Sequence, residues 1–422
     1  MRNLTFILIM IYAVVTIGLQ ISFEDSEVLG STSRILGVPA FLSWLWTLYY
    51  EGRTRKWGGY MILFTAFVGW NAASLLWSVD QDETYAHIYR MGINFFVTWI
   101  IYDTIRTRWN AMWAYQCLVF SGFLTAAVLM WKFHTGALSY GYSGREYGTS
   151  LSPNENAQSI ALAVPLAWHL AVAWKESPKL LRLLNYSLLP VGIYGMVLTA
   201  SRGGFISLAP GLIFILTTYK RMPMAGRVAT VLIALAGAVW VAKMDWTTSA
   251  QLEMKVGRIA TIFSSNDQDH LTGRSDLWRA GWEEFKRHPV LGVGKGAYAP
   301  AIETYATFKD STGQGLIAHN TFLSVLTELG LVGFSLFIGM IAFTVSLVWK
   351  MPAQDRNAWL ATITTYMIAF MSVTWDTYPN VYIFLAVAAS AGTSYKEEIR
   401  ERVRLRRAKL MTRVNRTAAE TR

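Results

Sequence analysis

Apolar residues occur along this chain in blocks of roughly 17–25 residues, long enough to span a bilayer as α-helices. Polar segments separate most of the blocks, so each block is predicted to form one transmembrane helix. The pattern therefore predicts an all-α integral membrane protein with about twelve transmembrane helices. We place them at residues 4–21, 35–50, 58–77, 88–105, 111–132, 156–174, 183–200, 203–219, 228–243, 320–349, 357–374 and 376–394.

One polar segment is much longer than the others. It covers residues 244–319, and we interpret it as a loop subdomain inserted between the ninth and tenth helices of a transmembrane domain, residues 1–394. Within it, Ser275 is predicted to cap a helix that ends near Arg287, before Pro289. Its apolar residues share one face, so the helix is expected to lie over the membrane domain; they are Leu277, Trp278, Gly281, Trp282 and Phe285.

The composition excludes an ordinary soluble domain. Of the 422 residues, 53% are hydrophobic and 15% are charged, and the mean hydropathy is +0.30. Soluble domains carry about 25% charged residues. The single cysteine, Cys117, lies inside a predicted helix, so no intrachain disulfide can form.

Basic residues are concentrated in alternate connections. We place the N-terminus in the cytoplasm and number the connections between helices along the chain. Arg2, the even-numbered connections and the tail, residues 395–422, then hold 24 of the 38 Lys and Arg residues. This positive-inside pattern predicts that both termini are cytoplasmic. We expect the basic tail to be attracted to anionic lipid headgroups rather than to nucleic acid. Three polar segments then lie on the outer side: 134–156, 201–204 and 244–319.

Ser201-Arg202-Gly203-Gly204 forms a tight outer turn between two predicted helices. An arginine on the outer side opposes the charge rule, and Ser201 is a plausible N-cap for the next helix. A helix N-terminus beside an arginine suits an anion, and Gly203 allows the backbone to approach a bound group. The alternative is an arginine that reaches toward lipid headgroups. We favour an anion site that includes Ser201, Arg202 and Gly203.

Two further cations lie in the long loop. Arg274 directly precedes the predicted loop helix, where a solvated surface arginine is an equal alternative. Lys295 lies in Gly292-Val293-Gly294-Lys295-Gly296, which lacks the following Ser or Thr and the strand–turn–helix context of a nucleotide P-loop. A flexible turn is the simpler interpretation of this segment, and a phosphate contact through Lys295 is the alternative.

His319 stands where the long loop re-enters the membrane. Histidine is the side chain best suited to accept a proton near neutral pH, although a single histidine is more often structural. Asn320 or Thr321 can cap the helix that follows. We therefore regard His319 as a candidate base and Asn320 as its neighbour at the site.

Other polar residues near the outer ends are weaker candidates. Arg145, Asn154 and Asn156 precede or begin the sixth block, where Asn156 could simply cap the helix. Arg90 lies just inside the fourth block, and an intramembrane cation is either functional or held in an ion pair. The chain has no His-Glu-x-x-His segment and no cysteine pair, so neither a metal nor another cofactor is predicted.

Arg202, Arg274 and Lys295 form a set of outer-face cations that suits the diphosphate of a lipid. If the diphosphate is a leaving group, arginine can stabilise its charge in place of a metal ion. The reaction then needs one base that deprotonates an incoming hydroxyl, and His319 is the natural choice. A single displacement at an anomeric carbon inverts its configuration.

Five motifs, in their order and spacing, resemble the bacterial O-antigen ligase and polymerase superfamily. With the predicted twelve-helix topology, the resemblance covers nearly the whole chain and is densest over residues 200–335. It implies a glycosyltransferase architecture of the GT-C-like class. The motifs are Ser201-Arg202-Gly203-Gly204, Gly273-Arg274-Ser275 with Leu277-Trp278, His288-Pro289-Val290-Leu291-Gly292-Val293-Gly294, His319-Asn320-Thr321-Phe322-Leu323 and Glu328-Leu329-Gly330-Leu331-Val332-Gly333.

This resemblance implies a metal-independent transfer of a glycan from undecaprenyl diphosphate at the periplasmic face of the bacterial inner membrane. It also implies that Arg202 and Arg274 engage the diphosphate and that His319 activates the acceptor. The segment Asn154–Asn156 is a less specific family feature.

The acceptor has two alternatives within the superfamily. A ligase transfers the glycan to lipid A–core, whereas a polymerase transfers it to another lipid-linked repeat; we favour the ligase because the single long outer loop fits it. A transporter of lipid-linked glycans is a third alternative from another class. It predicts ionisable residues at mid-membrane and internal repeats, and the sequence has few of the former and no evident repeat.

Overall fold

Long α-helices make up most of the computed structural model, which describes residues 2–19, 27–52, 54–135, 139–140, 146–147, 152–221, 224, 227, 272–303 and 317–420. Two short strands, β1 (Ser139–Tyr140) and β2 (Glu146–Tyr147), pair in antiparallel fashion. The helices are α1 (Arg2–Gly18), α2 (Glu27–Glu51), α3 (Gly59–Ala73), α4 (Gln81–Thr104), α5 (Arg108–Thr135), α6 (Pro153–Ala173), α7 (Lys179–Thr199), α8 (Arg202–Thr218), α9 (Thr272–Arg287), α10 (Tyr298–Ile302), α11 (Thr321–Val348), α12 (Ala353–Phe370) and α13 (Pro379–Glu420), with 3₁₀ turns at Ser74–Leu76 and Tyr219–Arg221.

Each predicted transmembrane segment within the described residues coincides with a helix. The segments match α1 to α8 and α11 to α13, whereas the ninth, at 228–243, lies outside the described residues. The prediction of a multi-pass helical membrane protein is confirmed, and the count of twelve crossings stays a prediction. Within the described chain, five segments are long and apolar enough to cross a membrane by length and composition: Gly59–Leu76, Arg108–Thr135, Pro153–Ala173, Lys179–Thr199 and Thr321–Val348.

Several helices extend beyond their predicted limits, and α2 and α13 do so most. Helix α2 begins at Glu27 rather than near residue 35. Helix α13 continues from the last predicted segment, 376–394, through the basic tail to Glu420. The tail is therefore helical and continuous with the last helix of the bundle, over the residues that the structure describes.

Helix α6 lies at the centre of the bundle. It packs against α5, α7, α8 and α12, and 89% of its membrane-length stretch is buried. Small side chains allow neighbouring helix backbones to approach closely, because dispersion contacts rather than exclusion of water hold helices together in lipid. The buried alanines of α6 are Ala157, Ala161, Ala163, Ala167 and Ala171.

Hydrogen bonds join connections that the charge pattern assigns to the same end of the bundle. At the end predicted to be cytoplasmic, Arg55 donates to the Ile105 carbonyl (2.9 Å) and to Ser394 Oγ (3.0 Å). At the opposite end, the Lys295 backbone N–H donates to Ser74 Oγ (3.0 Å). The orientation of the bundle in the membrane stays a prediction.

Candidate active site

Ser201 and Asn154 are joined by a direct hydrogen bond. Ser201 is the N-cap of α8, where its Oγ accepts from the Gly204 N–H (3.2 Å) and donates to Asn154 Oδ1 (2.8 Å). Both side chains are buried. The cap that was predicted for Ser201 is present, and it fixes Arg202, the half-buried first residue of α8, beside the start of α6.

Gly203 and Gly204 allow α8 to pack against its neighbours. A Cβ on Gly204 would lie 2.4 Å from Ala157 Cβ, and a Cβ on Gly203 would lie 3.0 Å from Ser372 Oγ. The glycine pair therefore has a packing role in this structure. A contact between Gly203 and a bound group stays a prediction.

The start of α6 differs in detail from its prediction. Ser152, rather than Asn156, caps this helix, because the Ser152 N–H donates to Glu155 Oε2 (2.8 Å) in a capping box. Asn156 is a fully buried residue within the first turns of the helix. The prediction that Asn156 belongs to the site is untested, and Arg145 lies outside the described residues.

His319 has a left-handed backbone conformation, with a φ of 46°. It directly precedes Asn320, which caps α11 by accepting from the Leu323 N–H at Oδ1 (3.2 Å). Few residues other than glycine adopt such a φ, although histidine is among those that do so more often. Backbone conformations of this kind persist only where the surroundings hold them, and they are common at functional sites.

Helix α9 carries Arg274 toward the same region. The helix begins at Thr272 rather than at the predicted Ser275 cap, so Arg274 lies within its first turn and is half-buried. Trp278 is four residues further on and shares a helix face with Arg274. Its Nε1–H donates to the Ala318 carbonyl (2.8 Å), one residue before His319.

Lys295 is not a solvent-facing cation of this site. Its ammonium lies 2.5 Å from Glu328 Oε2 and also pairs with Asp376, and all three side chains are buried. Burial lowers the pKa of Lys295, but the charges of Asp376 and Glu328 outweigh that effect and raise the pKa above its usual range. Both carboxylates therefore already neutralise the ammonium, and the phosphate contact of Lys295 stays a prediction.

The glycine-rich segment before Lys295 fills a break in helix α11. At Gly330 the backbone φ is 63°, which interrupts the helix and releases the hydrogen-bonding groups on both sides. Backbone groups of residues 289–294 replace the lost helical partners, so this segment is a fixed joint and not a flexible turn. The four bonds run from Leu331 N–H to the Pro289 carbonyl (2.9 Å), Val332 N–H to the Val290 carbonyl (3.4 Å), Val293 N–H to the Thr327 carbonyl (3.1 Å) and Gly294 N–H to the Glu328 carbonyl (2.9 Å).

A short segment, residues 371–378, connects these elements; we call it the bridging segment. It joins α12 to α13 and has side-chain or backbone contacts with α4, α6, α11 and Lys295 of the long loop. These contacts are Ser372 Oγ with Gln158 Nε2 (3.0 Å), the Val373 carbonyl with Thr321 Oγ1 (2.7 Å), Trp375 N–H with Thr321 Oγ1 (3.0 Å), Asp376 with Lys295, and the Thr377 carbonyl with Asn94 Nδ2 (2.8 Å).

The sequence-based interpretation assigned no role at the site to the bridging segment or to Glu328, although Glu328 begins the last of the five motifs. One sequence feature does point to it, because Asp376 is the only charged residue between Arg356 and Lys396. Glu328 has a similar cue, as an acidic residue within an apolar block. Arg90, on α4, lies near Tyr378 at the end of the bridging segment, which brings it to the same end of the bundle.

The predicted catalytic residues therefore lie next to residues that are joined through the bridging segment or through Trp278. Arg202 precedes Gly203, which packs on Ser372, and His319 is two residues before Thr321, which bonds to the bridging segment. Trp278, one helical turn after Arg274, joins these residues through its bond to the Ala318 carbonyl. Among the described residues, no group of three or more His, Cys, Asp and Glu side chains could hold a metal ion.

Comparison with known proteins shows which family part of the chain resembles. Residues 187–338 match the O-antigen ligase family. A stretch of 68 residues is 38% identical to the exopolysaccharide production protein ExoQ of Rhizobium meliloti, and this match spans 15% of the chain and 16% of that relative. Seven predicted site residues lie within the family match: Ser201, Arg202, Gly203, Arg274, Lys295, His319 and Asn320. The resemblance is thus confirmed: residues 187–338 of this multi-pass membrane protein are similar to the O-antigen ligase family.

Proposed function

We propose that this protein is an inverting glycosyltransferase of the O-antigen ligase type. It transfers a glycan from undecaprenyl diphosphate to a hydroxyl of lipid A–core at the periplasmic face of the bacterial inner membrane. One observation carries the proposal: the family match at 187–338 contains Arg202, Arg274 and His319, and contacts through residues 371–378 and Trp278 link the backbone around all three.

In the proposed reaction, His319 accepts the proton of the acceptor hydroxyl. The hydroxyl oxygen forms a bond to the anomeric carbon of the donor while the bond from that carbon to the diphosphate oxygen breaks. The electron pair leaves with undecaprenyl diphosphate, whose charge Arg202 and Arg274 stabilise through planar, paired hydrogen bonds. A single displacement gives a product of inverted anomeric configuration.

The remaining predicted site residues have supporting roles in this proposal. Ser201 and Asn154 hold the start of α8, so their effect on the diphosphate is transmitted through Arg202. Asn320 holds the start of α11 beside His319. Substrate contacts are proposed for Gly203, Asn156, Arg90 and Arg145, and none is proposed for Lys295.

A repeat-unit polymerase is the second candidate function. The relative in Rhizobium meliloti is named for exopolysaccharide production, and this favours an acceptor that is itself a growing glycan. Both functions share the donor, the leaving group and the three proposed catalytic residues. They differ only in which hydroxyl reaches His319.

The first experiment removes the proposed catalytic groups from the purified protein. We expect His319→Ala to lower transfer from a lipid-linked donor by about 10²–10⁴-fold, because the general base is lost. Arg202→Gln and Arg274→Gln should each lower it by about 10²–10³-fold through lost charge stabilisation. Matched controls are His134→Ala and Arg287→Gln, which alter residues outside the proposed site and should keep wild-type rates.

The second experiment supplies two acceptors. Wild-type protein receives undecaprenyl-diphosphate-linked glycan either with lipid A–core or alone, and the products are separated by length. Glycosylated lipid A–core supports the ligase, whereas longer chains from donor alone support the polymerase. Absence of both products, together with movement of the donor across vesicles that survives His319→Ala, would reject glycosyl transfer in favour of a transporter.

A further inference from the structure

The backbone around His319 is held on both sides by side-chain hydrogen bonds that connect it to other parts of the chain. With a φ of 46°, this residue occupies a conformation that costs free energy for any residue with a side chain. A ring carried on such a backbone points in a direction that an ordinary helical or extended residue would not give. The contacts that maintain the conformation therefore determine where the ring lies.

Trp278 holds the N-terminal side. Its Nε1–H donates to the Ala318 carbonyl at 2.8 Å, and this carbonyl belongs to the same planar peptide unit as the His319 N–H. Ala318 itself is buried against Tyr298 and Ile302. The peptide unit between Ala318 and His319 is thus hydrogen-bonded to helix α9.

Thr321 holds the C-terminal side. Its hydroxyl donates to the Val373 carbonyl (2.7 Å) and accepts from the Trp375 N–H (3.0 Å), so both of its hydrogen-bonding functions are used on the bridging segment. The side chain is fully buried. Because Thr321 is the first residue of α11, these two bonds fix the start of the helix that His319 precedes.

The bridging segment is itself anchored to the bundle, so the bonds from Thr321 end on a fixed support. Ser372 bonds to Gln158 on the central helix α6, and Asp376 pairs with buried Lys295. The Thr377 carbonyl accepts from Asn94 on α4 (2.8 Å). Movement of the start of α11 relative to α6 and α4 would break these contacts.

We propose that Thr321 and Trp278 are positioning residues for His319. This proposal rests on the proposed function, since it assigns them to the orientation of the base. Neither side chain is assigned a contact with the reacting atoms; each acts through the backbone of residues 318–321. Small errors in the placement of a catalytic group lower the rate of the chemical step more than they lower binding.

Thr321→Val keeps the shape of the side chain and removes both hydrogen bonds, whereas Thr321→Ser keeps the hydroxyl. Trp278→Phe keeps an aromatic ring and removes the Nε1 donor. We expect Thr321→Val and Trp278→Phe to lower kcat by about 10–100-fold, with KM for the lipid-linked donor within about twofold of wild type. Thr321→Ser should recover most of the rate.

Two matched controls test whether the loss of any buried hydroxyl, or of any indole, is sufficient by itself to lower kcat. Thr344→Val removes another fully buried hydroxyl of α11, which bonds only within its own helix, to the Met340 carbonyl. Trp282→Phe changes an exposed tryptophan of α9. Both should keep wild-type kcat. Equal losses of kcat in the control and test variants, or a rise in KM with unchanged kcat, would overturn the proposal.

Hydrogen–deuterium exchange of the peptide that covers residues 317–323 provides a measurement independent of turnover. Thr321→Val and Trp278→Phe should accelerate its exchange, and Thr344→Val and Trp282→Phe should not. Unchanged exchange in the two test variants overturns the positioning role even if transfer is observed. If wild type transfers no glycan, the proposed function fails while the exchange data still decide whether these side chains hold His319.

Discussion

Gly330 shows how a single residue type can be required by two independent properties of the backbone. Its φ of 63° lies in the left-handed region, and a Cβ at this position would lie 2.2 Å from the Val290 carbonyl oxygen. A change of backbone conformation would not remove the second obstacle, because residues 289–294 occupy the break in α11. Any side chain at 330 therefore separates two segments that are hydrogen-bonded to each other.

Gly330→Ala is expected to lower the free energy of unfolding by about 2 kcal/mol or more, through backbone strain and overpacking. The measurement is the Tm of purified protein in detergent. Gly339→Ala is a matched control on the same helix, since the nearest atom to its Cβ would be Leu63 Cδ2 at 3.9 Å. Equal shifts of Tm in the two variants would contradict the fixed joint that we describe.

At the scale of elements, a polar pair connects two helices whose relative rotation apolar contacts alone would define less well. Gln116 on α5 and Asn185 on α7 exchange two hydrogen bonds, from Gln116 Nε2 to Asn185 Oδ1 (2.9 Å) and from Asn185 Nδ2 to Gln116 Oε1 (2.8 Å). Both side chains are buried. Such amide pairs fix how one helix is rotated against another, because a rotation would leave both amides without partners.

Gln116→Leu should destabilise the protein by about 1 kcal/mol, because Asn185 then remains buried without its partner. The double variant with Asn185→Leu should recover part of this loss, since no unpaired amide remains. Gln81→Leu, which alters an exposed residue of α4, is the control and should leave Tm unchanged. If the losses of stability in the two single variants simply add in the double variant, the hydrogen bonds between the two amides do not stabilise the protein.

At the scale of the whole molecule, one buried ion cluster joins three distant parts of the chain. Lys295 comes from the long loop, Glu328 from the first half of α11 and Asp376 from the bridging segment. Buried charges are tolerated only when they are paired, so the three segments must assemble together. The cluster lies at the end of the bundle that carries the candidate active site.

Lys295→Met should lower the stability by about 3–5 kcal/mol, because two carboxylates are left buried without a cation. Glu328→Gln in that background should recover part of the loss by removing one of the unpaired charges. The control is Lys286→Met, which removes an exposed lysine paired with Glu283 (2.7 Å) and should cost less than about 1 kcal/mol. A Tm for Lys295→Met equal to that of the control would show that the cluster does not stabilise the fold.

Hydropathy predicted the helices well because a segment in lipid must satisfy its own backbone, which leaves few alternatives to a long apolar helix. Helix ends were predicted less well, because caps depend on local hydrogen bonds. Ser152 caps α6, and α9 begins at Thr272 rather than at the predicted Ser275 cap. The ion pairs of Lys295 were not predicted because its partners lie 33 and 81 residues away. Spacing along the sequence carries no information about such pairs.

The joint at Gly330 also decides where this protein can be divided and recombined. Residues 289–295 were assigned to the loop subdomain. The backbone of residues 289–294 nevertheless completes α11, and Lys295 neutralises two carboxylates outside that subdomain. A chimera that exchanges the loop up to residue 319 would therefore remove hydrogen bonds and a charge from the membrane helices. A junction near residue 287, at the end of α9, would leave those contacts with the helices that need them.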